Sequence, residues 1–186
     1  MAEDRIILVD GEDREIGSAE KTAAHRTPML HRAFSIFLYD DTGDEPKLLL
    51  QQRAFGKYHS GGLWANTCCS HPRVPETLEE AAIRRLAEEL GVEGISLTEI
   101  GSFIYMHRFR DDLYEHEFDH VFVGRWSGEV HPDPEEIHQV QWVPVSVIQK
   151  KLDDPSLAPW FPKAVSLVIH YLQTQHTIMV PENWTR

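Results

Sequence analysis

Three short segments concentrate side chains that bind metals or move protons. They are His25 with His31, Cys69-Ser70-His71-Pro72, and Glu115-His116-Glu117. Thiolate, imidazole and carboxylate together suit a first-row divalent metal or magnesium. In an extended chain, residues i and i+2 face the same side. Cys69 with His71, and Glu115 with Glu117, would then each present a pair toward one cavity. Eleven histidines among thirty acids also meet by chance, so spacing alone leaves a metal centre and a solvated loop end both open.

A second cluster lies on a helix. Pro75 and Thr77 open it, Glu80 follows Thr77 at capping-box spacing, and Gly91 stands where a C-cap glycine belongs. Leu78, Ala82, Leu86 and Leu90, with Ile83 beside them, form an apolar stripe at helical period. Arg85, Glu88 and Glu89 share another face. That face reads either as solvated charge or as a magnesium-holding carboxylate beside a cation, the pair that holds a diphosphate. Lys21, Arg53 and Lys57 lie ahead of the cysteines and read equally as solubility charges or as anion contacts.

The elements that must position these groups are short. Ile6 to Val9, Ala33 to Tyr39 and Lys47 to Gln52 read as strands, the last two as a hairpin about a turn at residues 40–44. Leu97 to Tyr105 and Phe118 to Trp126 read as strands flanking a charged loop, Arg108 to Glu115. Val140 to Val143 is a further strand. Val145 to Leu152 and Pro162 to Gln173 read as helices, the latter with Val165, Val168, Ile169 and Leu172 on one face. Strands on both sides of a central helix, without strict βαβ alternation, predict an α+β, layered α/β/α fold. No linker or repeat divides the 186 residues, so a single domain over 1–186 is expected.

The charge is −12, from 18 Lys+Arg against 30 Asp+Glu. An acid excess excludes a general nucleic-acid binder but admits a small anion held by a local cation cluster. No apolar run approaches the ~20 residues of a membrane span, and the acidic start does not read as a secretory segment. Cys68 and Cys69 are the only cysteines and are adjacent, a poor geometry for a disulfide. A reducing, cytoplasmic setting and a monomer without membrane partners are the expectations.

The helix resembles the Nudix signature, Gly-x5-Glu-x7-Arg-Glu-x2-Glu-Glu-x-Gly. Here it reads Ser70-x5-Glu76-x7-Arg84-Arg85-x2-Glu88-Glu89-x-Gly91, with Ser70 for the opening glycine and Arg85 for a glutamate. Lys21-x3-His25, His31-Arg-Ala-Phe-Ser35, Trp64-x-Asn66-x2-Cys69-x-His71-Pro72 and Glu115-x-Glu117 are similar to motifs of the type I isopentenyl-diphosphate isomerases. The resemblance runs from about residue 5 to Trp160 and beyond, in the right order.

That resemblance implies a Nudix-type fold, with a mixed sheet and flanking helices, and the interconversion of isopentenyl and dimethylallyl diphosphate. His25, His31, His71, Glu115 and Glu117 match a metal set for Mn2+, Zn2+ or Mg2+. Glu89 matches a residue helping to hold a Mg2+ carried with the substrate. Cys69 and Glu117 match the catalytic pair, with Tyr105 hydrogen-bonded nearby. Lys21, Arg53, Lys57 and Arg85 match diphosphate contacts, and Trp160 matches an aromatic facing the hydrocarbon. Cys68 carries no implied role. An allylic shift through a tertiary carbocation needs a dry site, a strong acid and a base on the opposite face; a Cys69 thiolate favoured by nearby positive charge is the expected base. The rival readings are a Nudix pyrophosphohydrolase, which the arginine at position 85 disfavours, and a binding module with a structural metal, which normally recruits more cysteines.

Overall fold

A computed structural model describes residues 5–57, 59–109 and 112–178. Nine strands and four helices occupy them: β1 (Arg5–Val9), β2 (Glu15–Glu20), α1 (Lys21–Arg26), β3 (His31–Asp40), β4 (Lys47–Arg53), β5 (Trp64–Ala65), β6 (Cys68–Ser70), α2 (Leu78–Leu90), β7 (Thr98–Arg108), β8 (Tyr114–Arg125), β9 (Ile137–Pro144), α3 (Val145–Gln149) and α4 (Phe161–Ile178). All strands join one mixed sheet.

The long strand β3 is its spine. It runs parallel to β8 from His31 beside Glu117 to Tyr39 beside Arg125, and antiparallel to β6 at Phe34 to Ile36. Its side chains alternate between two cores. Phe34, Ile36 and Leu38 pack against Ala81, Ala82, Leu86 and Leu90 of α2, while Phe37 packs with Phe161, Val165, Val168 and Leu172 of α4. The layers are therefore α/β/α, as the periodicities predict.

The expected hairpin of β3 and β4 forms only next to its turn, at Tyr39–Leu48 and Asp40–Lys47. Beyond that the strands part. β3 continues beside β6, and β4 beside β5 and β9. A sheet that splits this way leaves a gap reachable from both faces.

Several elements differ from expectation. β2 and α1 carry too few apolar residues for a period to show. Of the expected charged loop, residues 110 and 111 lie outside the described residues, and its two ends are strand instead: β7 and β8 pair out to Arg108–Tyr114 and carry Glu115 inside the ladder. The helix expected over Val145 to Leu152 stops at Gln149, and β9 starts at Ile137. On α2, Ile83 is 37% exposed and the smaller Ala81 takes its place in the core. The α2 caps are as expected: Thr77 Oγ1 accepts from Glu80 N, the Glu80 carboxylate accepts from Thr77 N at 2.9 Å, and Gly91 adopts a left-handed φ of 64°. Thr77→Ala should cost about 1 kcal/mol in urea unfolding while leaving any activity unchanged.

Candidate active site

One cavity of about 250 Å³ lies in the gap between β3 and β4. It gathers Lys21, Arg53, Lys57, Arg85, Cys69, His71, Glu89, Glu115, Glu117 and Trp160 from separate elements. His25, His31 and Tyr105 stand behind its wall.

The register of β3 explains the central arrangement. Cys69 on β6 faces Ser35 on one flank of β3, and Glu117 on β8 faces His31 on the other. Two strand spacings across the sheet, ~10 Å, and four residues along β3, ~13 Å, separate their backbones. Cys69 belongs to the side of the sheet that carries α4, whereas its neighbour Cys68 points the other way, into the α2 core. Alternation along a strand thus separates the two cysteines.

Four of the five expected His/Glu ligands come together, while Glu115 groups instead with His25 and His59. His25, His31, His71 and Glu117 are all buried and bring one ligand atom each within 4.8 Å of one another. On α1, His25 Nδ1 donates to Lys21 O at 2.7 Å, one helical turn away, which accounts for the Lys-x3-His spacing. His31 Nδ1 donates to Met29 O at 2.8 Å. Both bonds leave Nε2 as the nitrogen aimed into the cluster, as in metal-binding histidines whose other ring nitrogen donates to a carbonyl. Nε2 of His31 has no hydrogen-bond partner although fully buried, and lies 3.7 Å from Glu117 Oε1. Burial, with His31 beside it, lowers His25 to about 4, and burial holds His71 well below the usual imidazole range. Burial disfavouring the charged form of His25 and His71, with the unpartnered Nε2 of His31 and the Glu117 carboxylate between them, fits a divalent cation.

Glu117 is buried, which alone would raise it. His31 and His71, the latter 2.9 Å from Oε1, outweigh burial and hold it well below the carboxylate range. Glu115 and Asp119 share its face of β8. The Tyr105 hydroxyl donates to Glu115 Oε2, and the Ser35 hydroxyl donates to Asp119 at 2.8 Å. Burial, with Glu117 beside it, pushes the Asp119 carboxyl well above the usual carboxylate range.

Cys69 corrects one expectation. Arg53 Nη1 is 3.6 Å from Sγ, but burial dominates and raises the thiol to about 12, with Glu89, Glu115 and Glu117 adding to it. The side chain is held as a thiol, not the expected thiolate. Arg53 also lies 5.5 Å from the Trp160 ring centre, and the indole N–H of Trp160 donates to Asn66 Oδ1 at 2.9 Å.

The cation cluster is real and internally balanced. Burial, with Lys57 and Arg85 nearby, lowers Lys21. Lys57 and Arg85 both face Glu136, and Arg85 binds Glu89. The helix face is therefore no solvated triplet, since Glu89 is 3% exposed. Burial pushes the Glu89 carboxyl up, with Arg85 opposing. Glu76 and Arg84 form a bidentate pair at 2.6 and 2.8 Å, and Glu76 accepts from Arg73 N, fastening the loop behind His71. The sequence pointed to Asn66 only as a motif position without a role, and did not single out His59, Asp119 or Glu136. Each works through a partner remote in the chain, although the Ser60-Gly61-Gly62 turn beside His59 was a visible signal.

Residues 29–164 match the family model of the NUDIX domain. A Deinococcus radiodurans protein, DR0079, shares the fold with a TM-score of 0.71 at 22% identity, over 90% of this chain and 99% of that one. An isopentenyl-diphosphate Delta-isomerase of Burkholderia multivorans is 50% identical over 161 residues, 86% of this chain and 89% of that relative. One of Photobacterium profundum is 46% identical over 179 residues, 94% and 99% of the two chains. The chain belongs to the Nudix family and, within it, to the isopentenyl-diphosphate Delta-isomerases.

Arg85→Glu would set a third carboxylate beside Glu89 and Glu136. Calorimetry with inorganic pyrophosphate and Mg2+ should show affinity reduced about tenfold or more, the loss of a charge-assisted contact. No phosphate release from a diphosphate ester should appear.

Proposed function

We propose that this isomerase interconverts isopentenyl and dimethylallyl diphosphate by adding a proton at one end of the allylic unit and removing one from the other. Glu117 and Cys69 are the two proton-handling groups. The observation that carries the reading is the make-up of one cavity, in which four cations share a wall with Cys69, Glu117 and Trp160.

Lys21, Arg53, Lys57 and Arg85 bind the diphosphate, exchanging part of their pairing with Glu136 and Glu89 for phosphate oxygens. His25, His31, His71, Glu115 and Glu117 would hold Mn2+, Zn2+ or Mg2+, and Glu89 a Mg2+ accompanying the diphosphate. When bound, the ion of the His/Glu set would supply positive charge that makes Glu117 a stronger acid when it carries the proton and would offset the burial keeping Cys69 protonated. The ionised Glu117 and protonated Cys69 found here are the pair poised for the reverse direction.

The hydrocarbon lies between β6 and β8, against Trp160. Protonation of the terminal methylene leaves a tertiary cation at the neighbouring carbon. Loss of a proton from the adjoining methylene then forms the internal double bond. One proton enters and one leaves, so no co-reactant is needed, and in reverse the two groups exchange roles. The Trp160 face favours the cation electrostatically, and the buried surroundings deny it water. Tyr105 holds Glu115 and so steadies the acid row. The chain acts as one domain, as a monomer, on a small diphosphate.

Incubation with isopentenyl diphosphate in heavy water should give deuterated dimethylallyl diphosphate, read by mass spectrometry. Free phosphate without isomer would instead support a pyrophosphohydrolase. Cys69→Ser and Glu117→Gln should each lose at least a hundredfold in kcat with the fold retained. Cys68→Ser should stay within about threefold of the parent kcat and lose ~1 kcal/mol of stability. A dead Cys68→Ser beside an active Cys69→Ser would reverse the assignment.

A further inference from the structure

His59 lines the same cavity and is 7% exposed, yet no role in the proton transfer or in diphosphate binding requires it. Its Nε2 lies 2.9 Å from Glu115 Oε1, while Tyr105 holds Oε2 of the same carboxylate. Its ring stacks on Phe109 at 4.7 Å between centroids and meets Trp160 edge-on at 6.3 Å. One ligand atom each from His25, His59 and Glu115 lie within 4.8 Å of one another.

The segment carrying His59 is built to a fixed shape. Arg53 N donates to Leu63 O at 2.9 Å, and Gly62 N to Arg53 O at 3.0 Å, closing the base of the loop. A Cβ on Gly61 would come within 2.7 Å of Phe55 O, so only glycine lets the loop close this tightly. Lys57 at the same loop binds Glu136. Within seven residues the chain therefore offers two cations to the diphosphate and one imidazole to the metal-binding carboxylate.

We propose that His59 is a positioning residue for the metal centre: it fixes Glu115 from the diphosphate-binding loop, so that the carboxylate presents one defined oxygen to the divalent ion. This rests on the His/Glu metal reading above. A ligating carboxylate held at both oxygens loses less freedom when the ion arrives, and outer-shell partners of this kind are commonly worth 10–100-fold in metal affinity.

The test is Mn2+ affinity of the metal-stripped full chain, measured by competition with a chromophoric chelator, for the parent, His59→Ala and His59→Gln. Circular dichroism checks the fold. The Gln amide nitrogen can replace Nε2 as a donor but is a poor ligand. The expected result is a 10–100-fold loss in His59→Ala and recovery to within about fivefold in His59→Gln. The kcat of His59→Ala should climb toward the parent value as Mn2+ is raised, with KM for isopentenyl diphosphate changed little, a dependence that a merely packed ring would not produce. Parent binding with unaltered affinity in a folded His59→Ala would overturn this inference alone. Equal weakness of the Ala and Gln variants would overturn positioning in favour of direct ligation. Absence of Mn2+ binding by the parent would overturn the metal centre and this inference together.

Discussion

The parallel pairing of β3 with β8 is the constraint on which the site depends. Parallel strands cannot be joined by a tight turn, so the chain must travel through β4, β6 and α2 before β8 returns beside β3. That excursion brings β6 onto the other flank of β3 and makes the sheet divide from β4. Glu117 beside His31 and Cys69 beside Ser35 are consequences of one strand having these two neighbours. A register slip of one residue in either pairing would turn the corresponding side chain to the opposite face, into the α2 core.

Burial decides the electrostatics of what the sheet assembles. Charges in a dry gap persist best when paired. Glu136 and Glu89 answer Lys57 and Arg85, Glu76 answers Arg84, and Glu117 takes a hydrogen bond from the uncharged His71. A chain of net charge −12 can therefore hold a cationic pocket, because the acids that balance it stand inside the pocket as well as on the surface. Where no partner is adequate, burial wins: it raises the Asp119 carboxyl well above its usual range and keeps the proton on Cys69 despite Arg53.

The family helix shows one motif performing two tasks. Its Glu76–Arg84 pair is structural, fastening the loop that leads from His71 into α2. Its Arg85–Glu89 pair faces the cavity. In the hydrolase signature a glutamate stands where this chain has Arg85. The substitution exchanges a carboxylate for a cation at a half-buried position between Glu89 and Glu136, which changes what the pocket attracts without disturbing the fastening pair.

Much of this was legible in the residues. The α2 caps and the two layers of helix follow from local spacing, because capping, helical period and strand alternation act over a few residues. The candidate set of Cys69, Glu117, His25, His31 and His71 was left open by spacing and came from the family resemblance of the ordered motifs. The short β2 and α1, the limited β3–β4 pairing and the extension of β8 over Glu115 are settled by contacts far apart in the chain, which no local pattern records. The same holds for His59 on Glu115, Asn66 on Trp160 and Glu136 between two cations. By itself the sequence determined which side chains could carry the chemistry and on which elements they ride. Only the tertiary structure decided that they share one cavity and in which charge state burial leaves them, since both depend on what lies across the gap.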